Sequence, residues 1–232
     1  MWMATTPSPL WFANRGSGAV TMVLLTASVV LGMGTTVRWK STFWPKYFNA
    51  GLHQNVSLIF VFFLVIHVTT AILDPFAKLG LSDALIPFAS SYRPFWLGLG
   101  VVAAEIAIAL ILTTAVRRFI SYPVWRLIHW LSYASWPLAI LHGLGTGSDV
   151  RSQWFLWLVA ICVLAVWMAL ITWRLSFGTP SHVWLRLVMA ALSSVAVVAL
   201  AVWVVTGPLQ PGWARSAGTP ASLLKPAPTP TP

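Results

Sequence analysis

Apolar residues run along this chain in six stretches, each bounded by a polar or proline-bearing break. They cover residues 17–36, 53–73, 95–116, 124–144, 153–173 and 184–206. A helix that crosses a bilayer needs about 20 mostly apolar residues, so each stretch predicts one crossing. Trp44-Pro45 interrupts the first connection, Asp74-Pro75 ends the second stretch, and Arg93-Pro94 opens the third. Tyr122-Pro123 opens the fourth, Gly143, Gly145 and Gly147 end it, and Gly178 and Pro180 mark the fifth connection. The first run has no basic segment before it and no small-residue cleavage site after it, so it predicts a retained span. From Gly207 the chain turns to Pro, Ser, Thr and Ala, which predicts a disordered tail over 207–232. The expected organisation is an N-terminal segment (1–16), a five-helix core (17–173), a loop with an extra sixth helix (174–206) and that tail.

Composition narrows the class. Hydrophobic residues make up 58% of the 232 and charged residues 8%, against about 25% charged in soluble domains. An all-α membrane protein, a six-helix transmembrane bundle, is the expected fold class. The net charge of +10 comes from 14 Lys and Arg against 4 acids. Those cations sit between apolar runs, which argues for lipid and not nucleic acid as the partner. Arg38, Lys40, Lys46, Arg117, Arg118, Arg126, Arg174 and Arg186 fall in the odd connections, while Arg15, Lys78, Arg93, Arg151, Arg215 and Lys225 fall on the other side. Eight against six predicts a plasma-membrane protein with cytoplasmic odd connections and both termini outside. The second connection, 75–93, carries Phe76, Leu79, Leu81, Leu85, Ile86 and Phe88, enough apolar side chains to lie along the outer interface as a cap. The single Cys162 lies inside an apolar run and offers no disulfide, zinc or iron–sulfur site.

Histidine carries the candidate chemistry. His53 and His67 lie on the second stretch and His129 and His142 on the fourth. Separations of 14 and 13 residues amount to about 20 Å along a helix axis. Both stretches run in the same direction, so the pairs match in level: His53 with His129, His67 with His142. Two facing helices that each offer a neutral imidazole at two levels supply four axial ligands, enough for two stacked haem b groups in a central four-helix di-haem core. Helical phase favours one stretch: at about 100° per residue, 14 residues return within about 40° of the same face, while 13 miss by about 140°. The fourth stretch therefore needs a local defect, and Pro137 is the residue expected to supply a kink.

These residues resemble a known family. The histidine spacings on two same-direction helices, with Gly-Leu-His-Gln-Asn at 51–55 and Trp-Pro-Leu-Ala-Ile-Leu-His-Gly at 136–143, look like the ferric reductase transmembrane domain in an actinobacterial branch. That family includes the membrane core of NADPH oxidases, ferric-chelate reductases and the haem subunit of the bacterial methionine sulfoxide reductase system. The resemblance covers residues 17–173. It implies that His53 and His129 hold an inner haem iron and His67 and His142 an outer one. It also implies electron transfer, an oxidoreductase role, to an extracytoplasmic acceptor such as ferric iron, oxygen or a flavoprotein. Oxidases and eukaryotic reductases continue into a flavin and nicotinamide domain; here a sixth helix follows and no Gly-rich nucleotide motif occurs. A separate donor is therefore expected, either a cytoplasmic flavoprotein or quinol.

Other residues add candidates. Haem propionates call for cations, and Arg126, three residues before His129, is the inner choice among Arg38, Lys40, Arg117 and Arg118. Arg93 is the outer choice over Tyr92 and Arg15. Glu105 interrupts the third stretch and reads either as a proton relay or as a protonated acid bonded across helices. Phe60, Phe63, Tyr133 and Trp136 lie between the two histidine levels and read as packing. Gly98, Gly100, Ala103, Ala104 and Ala107 suit close helix approach. His182 matches nothing in the pattern. Two other functions fit the same residues: a haem-carrying anchor whose partner holds the active site, or a haem-free transporter moving protons through the histidines and Glu105.

Overall fold

A computed structural model of the protein describes residues 8–36, 46–176 and 183–224. The described residues form helices and no strand: α1 (Pro9–Thr36), α2 (Lys46–Leu73), α3 (Leu81–Leu85), α4 (Pro94–Ala115), α5 (Tyr122–Trp130), α6 (Ser132–Thr146), α7 (Gln153–Ser176), α8 (Val183–Thr206) and α9 (Trp213–Ser216). Arg38, Lys40, Trp44, Pro45, Gly178, Pro180, His182 and Lys225, all noted in the sequence, lie outside the described residues.

Five helices, α1, α2, α4, α7 and α8, are long and apolar enough to cross a membrane. The expected fourth span is not one helix. It is α5 of 9 residues followed by α6 of 15, each too short to cross alone. The discontinuity falls at Leu131, six residues before the expected kink at Pro137, which lies inside α6. Leu131 N–H donates to the Ile128 carbonyl at 3.0 Å, and Ala134 N–H donates to the Leu131 carbonyl at 2.9 Å. Both are three-residue closures, so the ladder tightens locally to a 3₁₀ turn. Such a turn rotates each residue by about 120° instead of 100°, in the direction that closes the 13-residue phase error.

Packing centres on α1, which contacts α2, α6 and α7; α4 lies on α6, and α8 on α7. The inward face of α1 is small and hydroxylated: Ser17, Thr21, Thr26 and Ser28 are buried. Three of these hydroxyls are satisfied locally, Ser17 donating to Asn14 O at 3.0 Å, Thr21 to Ser17 O at 2.7 Å and Thr26 to Met22 O at 2.8 Å, while Ser28 bonds the Ser57 hydroxyl of α2 at 2.7 Å. Small residues let helix backbones approach where lipid supplies no hydrophobic drive between helices. Met22, Ile140, Leu144, Phe155 and Val159 join α1 to α6 and α7, while Leu25, Val29, Met33, Phe60 and Ala107 join it to α2 and α4. The outward faces of α2 and α8 are apolar and exposed at Leu58, Phe62, Val65, Val195, Val198 and Val202, a surface suited to lipid. α2 meets α6 through side chains, because its close backbone contacts are with α1 and α3.

Two segments cover the end that carries His67 and His142. The connection between α2 and α4 crosses it, with Phe88 filling a notch at Gly98, where a Cβ would lie 2.2 Å from the Phe88 ring. The tail beyond α8 also turns back, which corrects the expectation of disorder from Gly207. Through residue 224 it folds as α9 and a 3₁₀ turn, Ala221–Leu223. Its anchor is Trp213, whose Nε1–H donates to Gly145 O at 3.3 Å and whose ring sits 5.4 Å from Trp96 and 5.9 Å from Trp203. Gly212 and Gly218, at φ 87° and 90°, make turns that a side chain would strain.

Candidate functional site

The four histidines meet as two pairs. The rings of His53 and His129 have centres 6.2 Å apart and planes at 83°; those of His67 and His142 are 6.3 Å apart at 81°. Two imidazoles sharing one metal ion, each nitrogen about 2 Å from the metal and each ring centre about 1.2 Å behind its nitrogen, would have centres about 6.4 Å apart. Both pairs fit that separation. The described residues hold no cluster of three or more His, Cys, Asp or Glu side chains able to bind a metal ion; each level brings two imidazoles together.

Three of the rings are oriented from neighbouring helices. His53 Nδ1–H donates to Ser28 O at 2.9 Å, His67 Nδ1–H to Asn14 O at 3.0 Å, and His142 Nδ1–H to Trp96 O at 3.0 Å. A carbonyl only accepts, so the proton resides on Nδ1 and Nε2 carries the free lone pair, the tautomer able to ligate a metal through Nε2. The same neighbours make room. A Cβ on Gly32 would lie 3.3 Å from the His53 ring, on Gly18 2.9 Å from the His67 ring, and on Gly100 2.3 Å from the His142 ring. His129 differs: its Nδ1 is buried without a partner among the described residues, and its ring stacks on Trp125 at 4.9 Å and 19°.

These carbonyls and two of the glycines carried no signal of their own in the sequence reading. One pattern was there to find: Gly18 and Gly32 on α1 have the same 14-residue spacing as His53 and His67 on α2. α1 runs antiparallel to α2, so each glycine meets a histidine.

A cavity of about 270 Å³ opens at the His67–His142 level between α1, α2, α4, α6 and α7. Its walls are largely apolar, with Phe60, Leu64, Val101, Ala103, Ala104 and Phe155 among them, and the α2–α4 connection adds Phe76, Leu79 and Tyr92. Burial pushes the Tyr92 phenol up, with the Arg93 charge partly opposing, so it remains a neutral hydroxyl. Arg15 lines the cavity too. It forms a two-pronged ion pair with Asp149 and lies 3.7 Å above the Trp11 ring.

The other expected residues fall as follows. Arg93 is 7% exposed and lies outside the cavity wall; it donates to Gly145 O at 2.8 Å and to Thr219 Oγ1 at 2.9 Å. Arg126 is exposed, with its guanidinium 5.7 Å from the Tyr122 ring centre and 5.6 Å from that of Trp130. Arg117 sits over Trp125 at 4.9 Å. Glu105 lies on the exposed face of α4, away from the cavity lining. Trp136, between the two levels, donates from Nε1 to Thr26 Oγ1 at 2.9 Å, as a packing residue would.

Comparison with curated proteins and with solved structures gives no significant match. The family model described as ferric reductase like transmembrane component matches residues 17–140, a range that includes His53, His67 and His129 and stops two residues short of His142. That match spans more than half of the chain, and with the multi-pass helical architecture it makes this protein a member of the ferric reductase like transmembrane component family.

Proposed function

We propose that this chain is a di-haem b-type electron-transfer protein of the plasma membrane. It passes electrons from a cytoplasmic flavoprotein or quinol to an extracytoplasmic acceptor such as ferric iron, oxygen or a flavoprotein. The carrying observation is the pair of opposed imidazoles at each of two levels, 6.2 and 6.3 Å apart. In this reading α5 and α6 together make a sixth crossing, both termini lie outside, and the His53–His129 level faces the cytoplasm.

Bound haem supplies an iron that takes and gives one electron at a time. The chain's residues do the rest. His53 and His129 hold the inner iron, and His67 and His142 the outer one. The carbonyls of Ser28, Asn14 and Trp96 keep three of these rings in the ligating tautomer. Gly18, Gly32 and Gly100 leave space for the rings, and the apolar walls of the outer cavity exclude water. Arg15, paired with Asp149, and Tyr92 both line that wall and are our candidates for the acidic edge of an outer haem, whereas Arg93 lies outside it and donates to Gly145 and Thr219. Arg126 remains the candidate at the inner face. Glu105 stands apart from both pairs, so no proton path from it to the histidines enters the mechanism.

The test is the reduced-minus-oxidised spectrum of the purified protein with a haem-to-protein ratio. Two low-spin b haems per chain are expected; a protein expressed with ample haem that binds none overturns the reading and favours the haem-free transporter. Vesicles with a reductant trapped inside and ferric chelate outside then separate conduit from anchor. Reduction outside supports the conduit, and two haems without transfer support an anchor whose partner holds the active site.

A further inference from the structure

The asymmetry among the four histidines has a consequence for ligand exchange. We infer that His129 is the exchangeable ligand of the set, so that the inner site opens there to a small neutral diatomic molecule while the outer site stays closed; the inference rests on the di-haem reading. Three structural differences carry it. First, His53, His67 and His142 each donate Nδ1–H to a carbonyl on α1 or α4, whereas Nδ1 of His129 is buried with no partner among the described residues. Removing such an outer partner typically weakens metal affinity 10- to 100-fold. Second, those three rings each sit against a glycine of a neighbouring helix, at Gly32, Gly18 and Gly100. No described glycine lies within 4 Å reach of His129 in the same way; its ring is held from its own helix, stacked on Trp125 one turn earlier. Third, His129 lies two residues before the Leu131 break, on a helix of only 9 residues, so its ring can turn without moving α6 and His142.

Opening is a ligand substitution. The bond from His129 Nε2 to the metal breaks and one from the incoming molecule forms. No electron or proton changes hands, and the released imidazole turns off the Trp125 ring as a neutral group. Arg117, over the Trp125 ring at 4.9 Å, holds that stack in place and with it the resting position of His129.

Carbon monoxide is the probe. The purified di-haem protein, fully reduced, is exposed to it and the Soret and α bands are followed. One of the two haems is expected to form a carbonyl spectrum and the other to stay unchanged. Trp125→Ala should raise the rate or extent of binding severalfold, and Trp125→Phe, which keeps a stacking ring, should restore the slow behaviour. His67→Ala should abolish the unreactive haem and leave the reactive one; where that variant does not fold, the Trp125 pair still assigns the site. Two low-spin haems that both resist carbon monoxide overturn the inference and leave the di-haem reading intact. So does reactivity that is insensitive to Trp125. Absence of haem altogether overturns the functional reading instead.

Discussion

Gly100 of α4 stands directly against the His142 ring of α6, with room for no side chain between them: a Cβ on Gly100 would lie 2.3 Å from His142 Nδ1. That nitrogen donates to Trp96 O at 3.0 Å, one turn earlier on the same helix. α4 therefore fixes the ring twice, by a notch and by an acceptor. The ring cannot retreat from an added methyl without giving up that bond.

Gly100→Ala should accordingly displace His142 and empty the outer site, lowering the haem-to-protein ratio from two toward one. The effect should fall in the order of the approaches: Gly100→Ala, then Gly18→Ala at 2.9 Å from His67, then Gly32→Ala at 3.3 Å from His53. Pyridine haemochrome assays on the three purified variants measure it. Full haem content in Gly100→Ala would remove the notch from the account.

The ring planes cross at 83° and 81°. Near-perpendicular axial imidazoles leave the iron d orbitals close to degenerate, which gives the strongly anisotropic class of low-spin ferric signal, whereas parallel rings give a rhombic one. Frozen-solution electron paramagnetic resonance of the oxidised protein should show the anisotropic signal at both haems. A purely rhombic pair of signals would contradict the ring geometry.

Pro137→Ala is expected to keep both haems. The break lies at Leu131 and Pro137 sits within α6, so restoring an N–H at 137 adds a hydrogen bond without realigning His129 and His142. A proline inside a helix costs about 3 kcal/mol or more, and the variant should be more stable by some part of that in thermal unfolding. Loss of either haem would move control of the break to the proline.

Arg93→Ala should loosen the tail. The side chain is 7% exposed and bonds both Gly145 O and Thr219 Oγ1. Hydrogen bonds from a charged donor contribute about 1.5–3 kcal/mol each, so the two together make a loss of about 3–6 kcal/mol the expected outcome, seen as a lower unfolding temperature. Limited proteolysis should then cleave near α9 sooner than in the parent. Unchanged cleavage would mean that Trp213, the Arg93 N–H bond to Gly218 O and the Arg151 bond to Gln210 O hold the segment without the Arg93 side chain.

Much of the site is legible one residue at a time. Span lengths and their ends follow from apolar runs and from Asp74-Pro75, Arg93-Pro94 and Tyr122-Pro123, because crossing a bilayer is a one-dimensional requirement on length and polarity. The spacing of His53 to His67 and of His129 to His142 sets two levels, since rise along a helix is nearly constant. The phase mismatch between 13 and 14 residues likewise announces a defect in the fourth stretch.

What the sequence by itself determined is thus position along the helix axes: which segments are apolar enough to cross a membrane, and at which two levels four imidazoles stand. Tertiary structure alone decided what faces each ring. The carbonyls of Asn14, Ser28 and Trp96 belong to the backbone and have no residue type that marks them, so their role depends on which helix lies alongside. The break settled at Leu131 and not at Pro137, because a strained helix yields where its turn can tighten while keeping its hydrogen bonds. The tail folded through residue 224 because Trp213 found Trp96, Trp203 and Gly145, a contact between elements far apart in the chain. Heights are fixed by local geometry; rotation about each helix axis is fixed only by the neighbours.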